Sequence, residues 1–390
     1  MLAKARAAPM LCVVRTKIDM IPRDYSEEHL SYLADKHIFE YWQAVPYAAV
    51  SSITKEGMDD LLACIANEVQ PPATQTVIDI KNLLGRIASN VLDVVASAFA
   101  LPIRRLTSNV DSELEFLLSQ PDYYARERGA WEEDVKRRLR IQPDAGVLTV
   151  GLASPSIVEK HPDKSERAAM EFAYDNTTIP VPRVFNSDDH FYMDFIKGES
   201  IYECWDGLSR LKQFRVACTL RLYVRQMRAL RRDFVGAVDT RVVSGILFEE
   251  QRYKPFPSVR LFRRFCEYVA FQGWRRRVSA MQYAGEKPSP FPHPEIDWTP
   301  VFTHGDLNGS NIILDDHGTV WLIDWATGGF YPPCMEAQAM RHVEDHVRPY
   351  DIGDSWRSYR AFIVERTTAE EDQFWDDFFS YIHNCPGNAE

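Results

Sequence analysis

Short apolar runs broken by polar turns dominate the last third of the chain. Val301 and Phe302 lead into a polar loop, Ile312, Ile313 and Leu314 form the next run, and Asp315, Asp316, His317 and Gly318 separate it from Val320 to Ile323. Apolar runs flanking an Asp- and Gly-containing turn predict a β-hairpin. Val147 to Val150, Ser156 to Glu159 and Phe191 to Phe195 predict short strands of a small antiparallel sheet, and the residues after Ile201 follow helical spacing. Upstream, Ile80, Leu83, Leu84, Ile87, Val91, Val94, Val95 and Phe99 recur at helical intervals. That pattern predicts an amphipathic helix, docked on a neighbouring domain rather than on a membrane because its polar face lacks basic enrichment.

The hairpin brings chemistry together. Asp306 lies in the loop after Phe302, Asn311 opens the Ile312 run, and Asp324 ends the second strand. Phosphoryl transfer from ATP requires an acceptor hydroxyl held in line with the γ-phosphate and metal ions that neutralise triphosphate charge. One carboxylate and one amide oxygen suit Mg²⁺, which takes hard oxygen ligands and keeps several waters. Asn311 and Asp324 are therefore the candidate metal ligands, and Asp306 is the candidate base.

The run His-Gly-Asp-Leu at 304–307, Asn311, Ile-Asp-Trp at 323–325, then Tyr331, Pro332 and Glu336 resembles the aminoglycoside phosphotransferase and choline kinase superfamily, especially its fungal-type members. The resemblance spans about residues 145 to 345. It implies an α+β, bilobal protein-kinase-like fold with a small antiparallel-sheet lobe over 141–198 and a mainly helical lobe over 199–390. It also implies that Lys160 contacts the α- and β-phosphates of ATP and that Glu166 orients it, with Glu171 or a surface ion pair as alternatives. Met193, Asp194, Phe195 and Ile196 match the interlobe hinge, where adenine is read largely by backbone groups. Gly151 to Ser156 stands where a phosphate-covering loop is expected, with one glycine in place of several. His304 is expected to brace the loop rather than to accept a proton.

Ahead of this lies a different pattern. Leu11 to Val14 followed by Thr16, Lys17, Ile18 and Asp19, and later Ala49 to Ser52, resembles the guanine-reading half of a GTPase. The chain is expected to divide into a partial α/β GTPase-like segment over 1–72, a helical linker or docking region over 73–140, and the kinase-like part. No Gly-x-x-x-x-Gly-Lys-Ser/Thr loop precedes Leu11, so GTP binding and hydrolysis by 1–72 are not expected, and a truncated or fused piece is.

A net charge of -11 argues against a nucleic-acid partner relying on a basic surface. Seven scattered cysteines, no signal peptide and no sufficiently long apolar stretch fit a reduced, cytoplasmic protein without a membrane span. Arg221, Arg225, Arg228, Arg231 and Arg232 read as a solvated helix face. Glu336, Glu344, Asp345, Asp351 and Asp354 make an acidic region that, lining an acceptor cleft, would favour an amine-bearing substrate. The expected activity is ATP- and Mg²⁺-dependent phosphorylation of a small-molecule hydroxyl. The alternative is a catalytically inactive nucleotide-binding or interaction scaffold.

Overall fold

The computed structural model describes residues 89–104, 110–120, 123–138, 150–160, 164–186, 191–249, 251–347 and 354–389. The GTPase-like segment expected over 1–72 and the part of the amphipathic helix before residue 89 lie outside them, whereas 89–99 are helical. The chain divides into two compact units. One comprises Leu92–Pro255, Ile296–Thr367 and Ala389–Glu390, and the other comprises Met1–Val91, Phe256–Glu295 and Thr368–Asn388.

In the first unit, strands β1 (Val150–Ser154), β2 (Ile157–Lys160), β3 (Val184–Asn186) and β4 (Phe191–Asp194) form an antiparallel sheet in the order β1-β2-β4-β3. Side chains alternate across a strand, so each face can bury its own set. Leu152, Val158, Phe191 and Met193 share a core with Ala169, Met170 and Ala173 of the helix Lys164–Asn176. Ala153, Ile157 and Tyr192 cluster instead with Val110 and Leu117. A register slip of one residue would exchange these sets, and each large apolar side chain contributes about 1.5–3 kcal/mol by burial, so the register is strongly fixed.

The first strand differs from the expectation. Residues 147–149 lie outside the described residues, and Gly151–Ser154, expected as an open loop, belongs to β1. Only the turn at Pro155 and Ser156 remains between the strands. The cause lies in partners 24 and 43 positions upstream: Arg128 Nε donates to the Leu152 carbonyl at 3.1 Å, and Glu113 Oε1 accepts from the Ser156 amide at 3.3 Å.

Strands β5 (Gly198–Ser200), β6 (Gly236–Ala237), β7 (Val301–Thr303), β8 (Ile312–Asp315), β9 (Val320–Leu322) and β10 (Gly329–Tyr331) form two further sheets, β5-β8-β9 and β6-β10-β7. The β8–β9 pairing is antiparallel, matching Ile312 with Leu322 and Leu314 with Val320. Its turn is closed by Asp315 Oδ1, which accepts from the amides of His317 at 2.9 Å and Thr319 at 2.8 Å. Such side-chain-to-backbone bonds are why aspartate favours turns.

The helix Arg210–Ala229 corrects the reading of a solvated arginine face for Arg221 and Arg228, whereas Arg225 is 38% exposed and Arg231 and Arg232, past the helix end, are exposed. Arg221 is 1% exposed; its Nε donates to Asp93 Oδ1 at 2.8 Å and its Nη1 to the Phe362 carbonyl at 2.6 Å. Arg228 reaches Glu365 and the Val364 carbonyl, both at 2.8 Å. These arginines tie the 89–99 helix and the 362–365 segment to the core instead of facing water.

In the second unit, the helices Val259–Tyr283 and Ala369–Ile382 bury apolar side chains that include Phe262, Phe265, Phe374 and Phe378. Arg277 grips Asp377 through two bonds of 2.7 and 2.8 Å. Among the described residues no helix is long and apolar enough to cross a membrane.

Candidate active site

Strand β2 ends at Lys160, and the helix Lys164–Asn176 starts soon after, which places Glu166 in its first turn. Lys160 Nζ lies 2.9 and 2.8 Å from the two Glu166 oxygens and 2.7 Å from Asp324 Oδ1. Glu166 is fully buried, whereas the Asp324 side chain is 43% exposed. Burial opposes the ammonium, but Asp324 and then Glu166 outweigh it, and the pKa of Lys160 is raised above its ordinary value. Glu171, the other partner considered for Lys160, pairs with Arg167 at 2.9 Å on the helix surface.

Asp324 has φ of 60°, a region that few residues other than glycine occupy. Strain of this kind persists only where the surroundings over-determine the backbone. Here the Ile323 amide donates to the Asn311 carbonyl at 3.0 Å, and the following Trp325 is fully buried, stacked on Phe302 at 5.6 Å.

The loop from His304 to Asn311 is held by a chain of polar contacts. His304 Nε2 lies 2.9 Å from the Ile323 carbonyl, which can only accept, so that nitrogen carries the proton and Nδ1 accepts from the Asp306 amide at 3.3 Å. Burial lowers the His304 pKa to about 4, which keeps the ring neutral for this arrangement. Gly305 has φ of 77°, and a Cβ there would run into the Thr327 carbonyl. Asn311 Nδ2 donates to Asp306 Oδ2 at 2.8 Å, and Asn308 Nδ2 donates to Asp306 Oδ1 at 2.6 Å.

Glu336 underpins the loop from outside it. The helix Pro333–His342 carries it in the first turn, where its oxygens accept from the His304 amide at 2.7 Å and the Gly305 amide at 3.1 Å. It is 2% exposed, and burial pushes its pKa up to about 7 despite those two amides. A carboxylate whose folded pKa is raised contributes stability below its unfolded value and loses it as pH climbs through the folded one. Between about pH 4.5 and 7, wild type therefore loses stability that Glu336→Gln does not. The substitution also leaves one buried amide without an acceptor, costing about 1–3 kcal/mol. Denaturant unfolding should show a wild-type advantage larger at pH 5 than at pH 8; equal differences at both would exclude this titration.

Glu344 is also internal. It is fully buried and bound by Trp356 Nε1 at 2.6 Å and Arg360 at 2.8 Å. Neither Glu336 nor Glu344 thus offers its carboxylate to an acceptor, whereas Asp345, also part of the acidic-cleft reading, is 36% exposed and lies 3.9 Å from Arg360. The side chains of Asp351 and Asp354 lie outside the described residues.

The remaining expected contacts divide. Met193 is buried on the sheet face that holds Lys160, and Phe195 meets Trp131 edge-on at 6.2 Å. The Asp194 carboxylate is committed to Arg183 through bonds of 2.9, 2.9 and 3.0 Å, so this position has only backbone to offer a nucleotide. The Asp194 and Phe195 amides are spent on Arg183 and Ser156, whereas that of Ile196 donates to no described residue. For a metal, the oxygens fit: Asn311 directs its NH₂ at Asp306, its carbonyl oxygen accepts from Ser310 Oγ at 3.3 Å and has a second lone pair to offer, and Asp324 Oδ2 accepts no hydrogen bond among the described residues. Sequence reasoning missed Asn308 and the bracing role of Glu336. An Asn-Gly pair inside the loop and a lone acid in the first turn after Pro332 and Pro333 were the available signals.

Helices thus surround small antiparallel sheets, and the side chains of the candidate site come from separate segments of the chain. The chain belongs to the phosphotransferase enzyme family, whose pattern matches residues 137–340. Similar solved structures include an aminoglycoside phosphotransferase, APH(2'')-IIa, in a ternary complex with streptomycin and ATP, at 15% identity over 62% of this chain and 85% of that one, with a TM-score of 0.36. A macrolide 2'-phosphotransferase from Brachybacterium faecium is 15% identical over 63% of this chain and 87% of its own, with a TM-score of 0.34. A choline kinase from Streptococcus pneumoniae is 12% identical over 67% and 94%, with a TM-score of 0.31. None of the curated proteins matches the chain.

Proposed function

We propose that this chain is a cytoplasmic phosphotransferase of the aminoglycoside and choline kinase-like type, moving the γ-phosphoryl group of ATP to a hydroxyl of a small molecule. What supports the reading above all is the convergence of Lys160 on Glu166 and Asp324 at 2.7 to 2.9 Å, on the hairpin that also carries Asn311 beside Asp306. In this reading the acceptor oxygen bonds to phosphorus as the bond to the ADP oxygen breaks, and the acceptor proton passes to Asp306. Lys160, oriented by Glu166, holds the α- and β-phosphates, and the backbone from Met193 to Ile196 meets adenine. Magnesium, held by Asn311 and Asp324 when bound, neutralises the triphosphate charge.

The metal assignment has a direct test. At a ligand concentration of 100 times Kd, binding stabilises a protein by about 2.7 kcal/mol. Magnesium-ATP should raise the melting temperature of wild type, and Asp324→Ala should shrink that rise; equal rises would remove Asp324 from the metal site. The second reading, a nucleotide-binding scaffold without turnover, draws on the two-residue turn at Pro155 and Ser156, whose Ser156 amide is already taken by Glu113. Screening aminoglycosides, choline-like amines, sugars and hydroxylated metabolites for ATP-dependent phosphorylation separates the two.

A further inference from the structure

We propose that the acceptor is an uncharged alcohol with an apolar body, seated in a cleft beside the catalytic loop, a proposal that rests on the phosphotransferase reading above and narrows its substrate. The cleft has a volume of about 270 Å³ and is partly open to solvent. That lies near the lower end of small-molecule sites, roughly 300–1,000 Å³. Its walls come from residues 244–248, from Thr303 and Gly305 just ahead of Asp306, and from positions between Thr327 and Ala339, all within one compact unit.

Depth and mouth differ in character. Leu247, Phe248, Met335 and Ala339 are buried and make an apolar floor. Met335 and Ala339 stand one turn apart on the helix Pro333–His342, so they present a single patch. Gly245, Ile246, Gly305 and Thr327 are half-buried and form the mouth. Gly245 has φ of 125°, and a Cβ there would stand 3.6 Å from the Thr327 Cβ, across the opening. Gly305 is bonded in sequence to Asp306, so a hydroxyl projecting from a molecule in the cleft meets the catalytic loop.

No charged side chain lines this cleft. Glu336 shares the helix with Met335, but its oxygens are taken by the amides of His304 and Gly305. Asp345 is not among the lining residues. The polar groups of the wall are largely spent on one another. Tyr331 Oη donates to the Ser244 carbonyl at 2.9 Å and accepts from the Ser244 amide at 3.2 Å. Thr303 Oγ1 donates to the Gly329 carbonyl at 3.2 Å, and Thr327 Oγ1 donates to the His304 carbonyl at 2.9 Å. Ser244 Oγ bonds to no described residue and keeps its hydrogen for a ligand. An ammonium entering here would lose hydration and find no carboxylate, whereas an alkyl or aryl body gains by leaving water.

The test uses full-length protein labelled at the methionine methyl carbons, with the Met335 signal identified by its loss in Met335→Leu. The probes are α-ethylbenzyl alcohol and phenylethanolamine, which share a ring and a hydroxyl and differ by a methyl in place of an ammonium. In the presence of magnesium-ADP, the alcohol should shift the Met335 methyl saturably and bind about tenfold or more tighter than the amine. Ile246→Glu, which sets a carboxylate at the mouth, should narrow or reverse that ratio. Equal affinities in wild type, a preference for the amine, or no Met335 shift with either probe overturns the proposal, whether or not Ile246→Glu folds. Failure of the phosphotransferase reading is distinct: the alcohol would still shift Met335, yet no alcohol would be phosphorylated. Phosphorylation of an amine-bearing acceptor with Met335 unmoved would sink the proposal and leave that reading standing.

Discussion

Asp306→Asn is expected to lower phosphoryl transfer by roughly 100- to 10,000-fold, the range over which a positioned acid or base contributes. Both Asp306 oxygens accept amide hydrogens, from Asn308 at 2.6 Å and from Asn311 at 2.8 Å. An asparagine at 306 supplies one acceptor and one donor, so it must present an NH₂ to one of two groups that also present NH₂. The variant therefore loses the proton acceptor and also loosens one of these two contacts. Lys160, Glu166 and Asp324 lie in other segments and keep their ion pairs. Magnesium-ATP should accordingly still raise the melting temperature of Asp306→Asn while ADP release in the presence of an acceptor collapses. Wild-type turnover by the variant would eliminate Asp306 as the base.

The parts of this arrangement legible in the sequence are those decided locally. The hairpin from Ile312 to Leu322 follows from two apolar runs and an aspartate that closes its own turn. Lys160 and Glu166 are six positions apart, across the end of a strand and the start of a helix, and so meet with little help from the rest of the chain. What the pattern hid depends on distant partners. The stretch from Leu152 to Ser156 is held by Arg128 and Glu113, and the burial of Arg221 by Asp93, 128 positions away. A run of arginines on a helix looks the same whether it faces water or an upstream helix, because periodicity records the apolar face and not what covers the other one. Glu336 was legible as an acid but not as a brace, since its partners are backbone amides 31 and 32 positions earlier, which no side-chain pattern reveals.

Lys160→Met is expected to destabilise the protein by about 3–5 kcal/mol, because removing one member of a buried ion pair leaves the other charged and desolvated. Glu166 is fully buried and Lys160 Nζ sits 2.8 and 2.9 Å from its two oxygens, so the penalty falls chiefly on Glu166; Asp324, 43% exposed, recovers its hydration. Replacing both members with apolar residues should be far milder, since neither charge then remains to be buried. Denaturant unfolding of Lys160→Met, Glu166→Leu and the double variant forms a cycle in which the double variant should be more stable than Lys160→Met alone. The pH dependence gives an independent sign. The lysine pKa is raised in the folded state from its ordinary 10.5, so its contribution is complete below that value and is lost as pH rises through the folded one. The wild-type advantage over Lys160→Met should thus stay level from neutral pH to about 10 and shrink above it. An additive cycle, or a gap that does not change at alkaline pH, would mean that the ion pair does not hold the β2 end to its helix, and that the Lys160 contacts matter only once phosphates are bound.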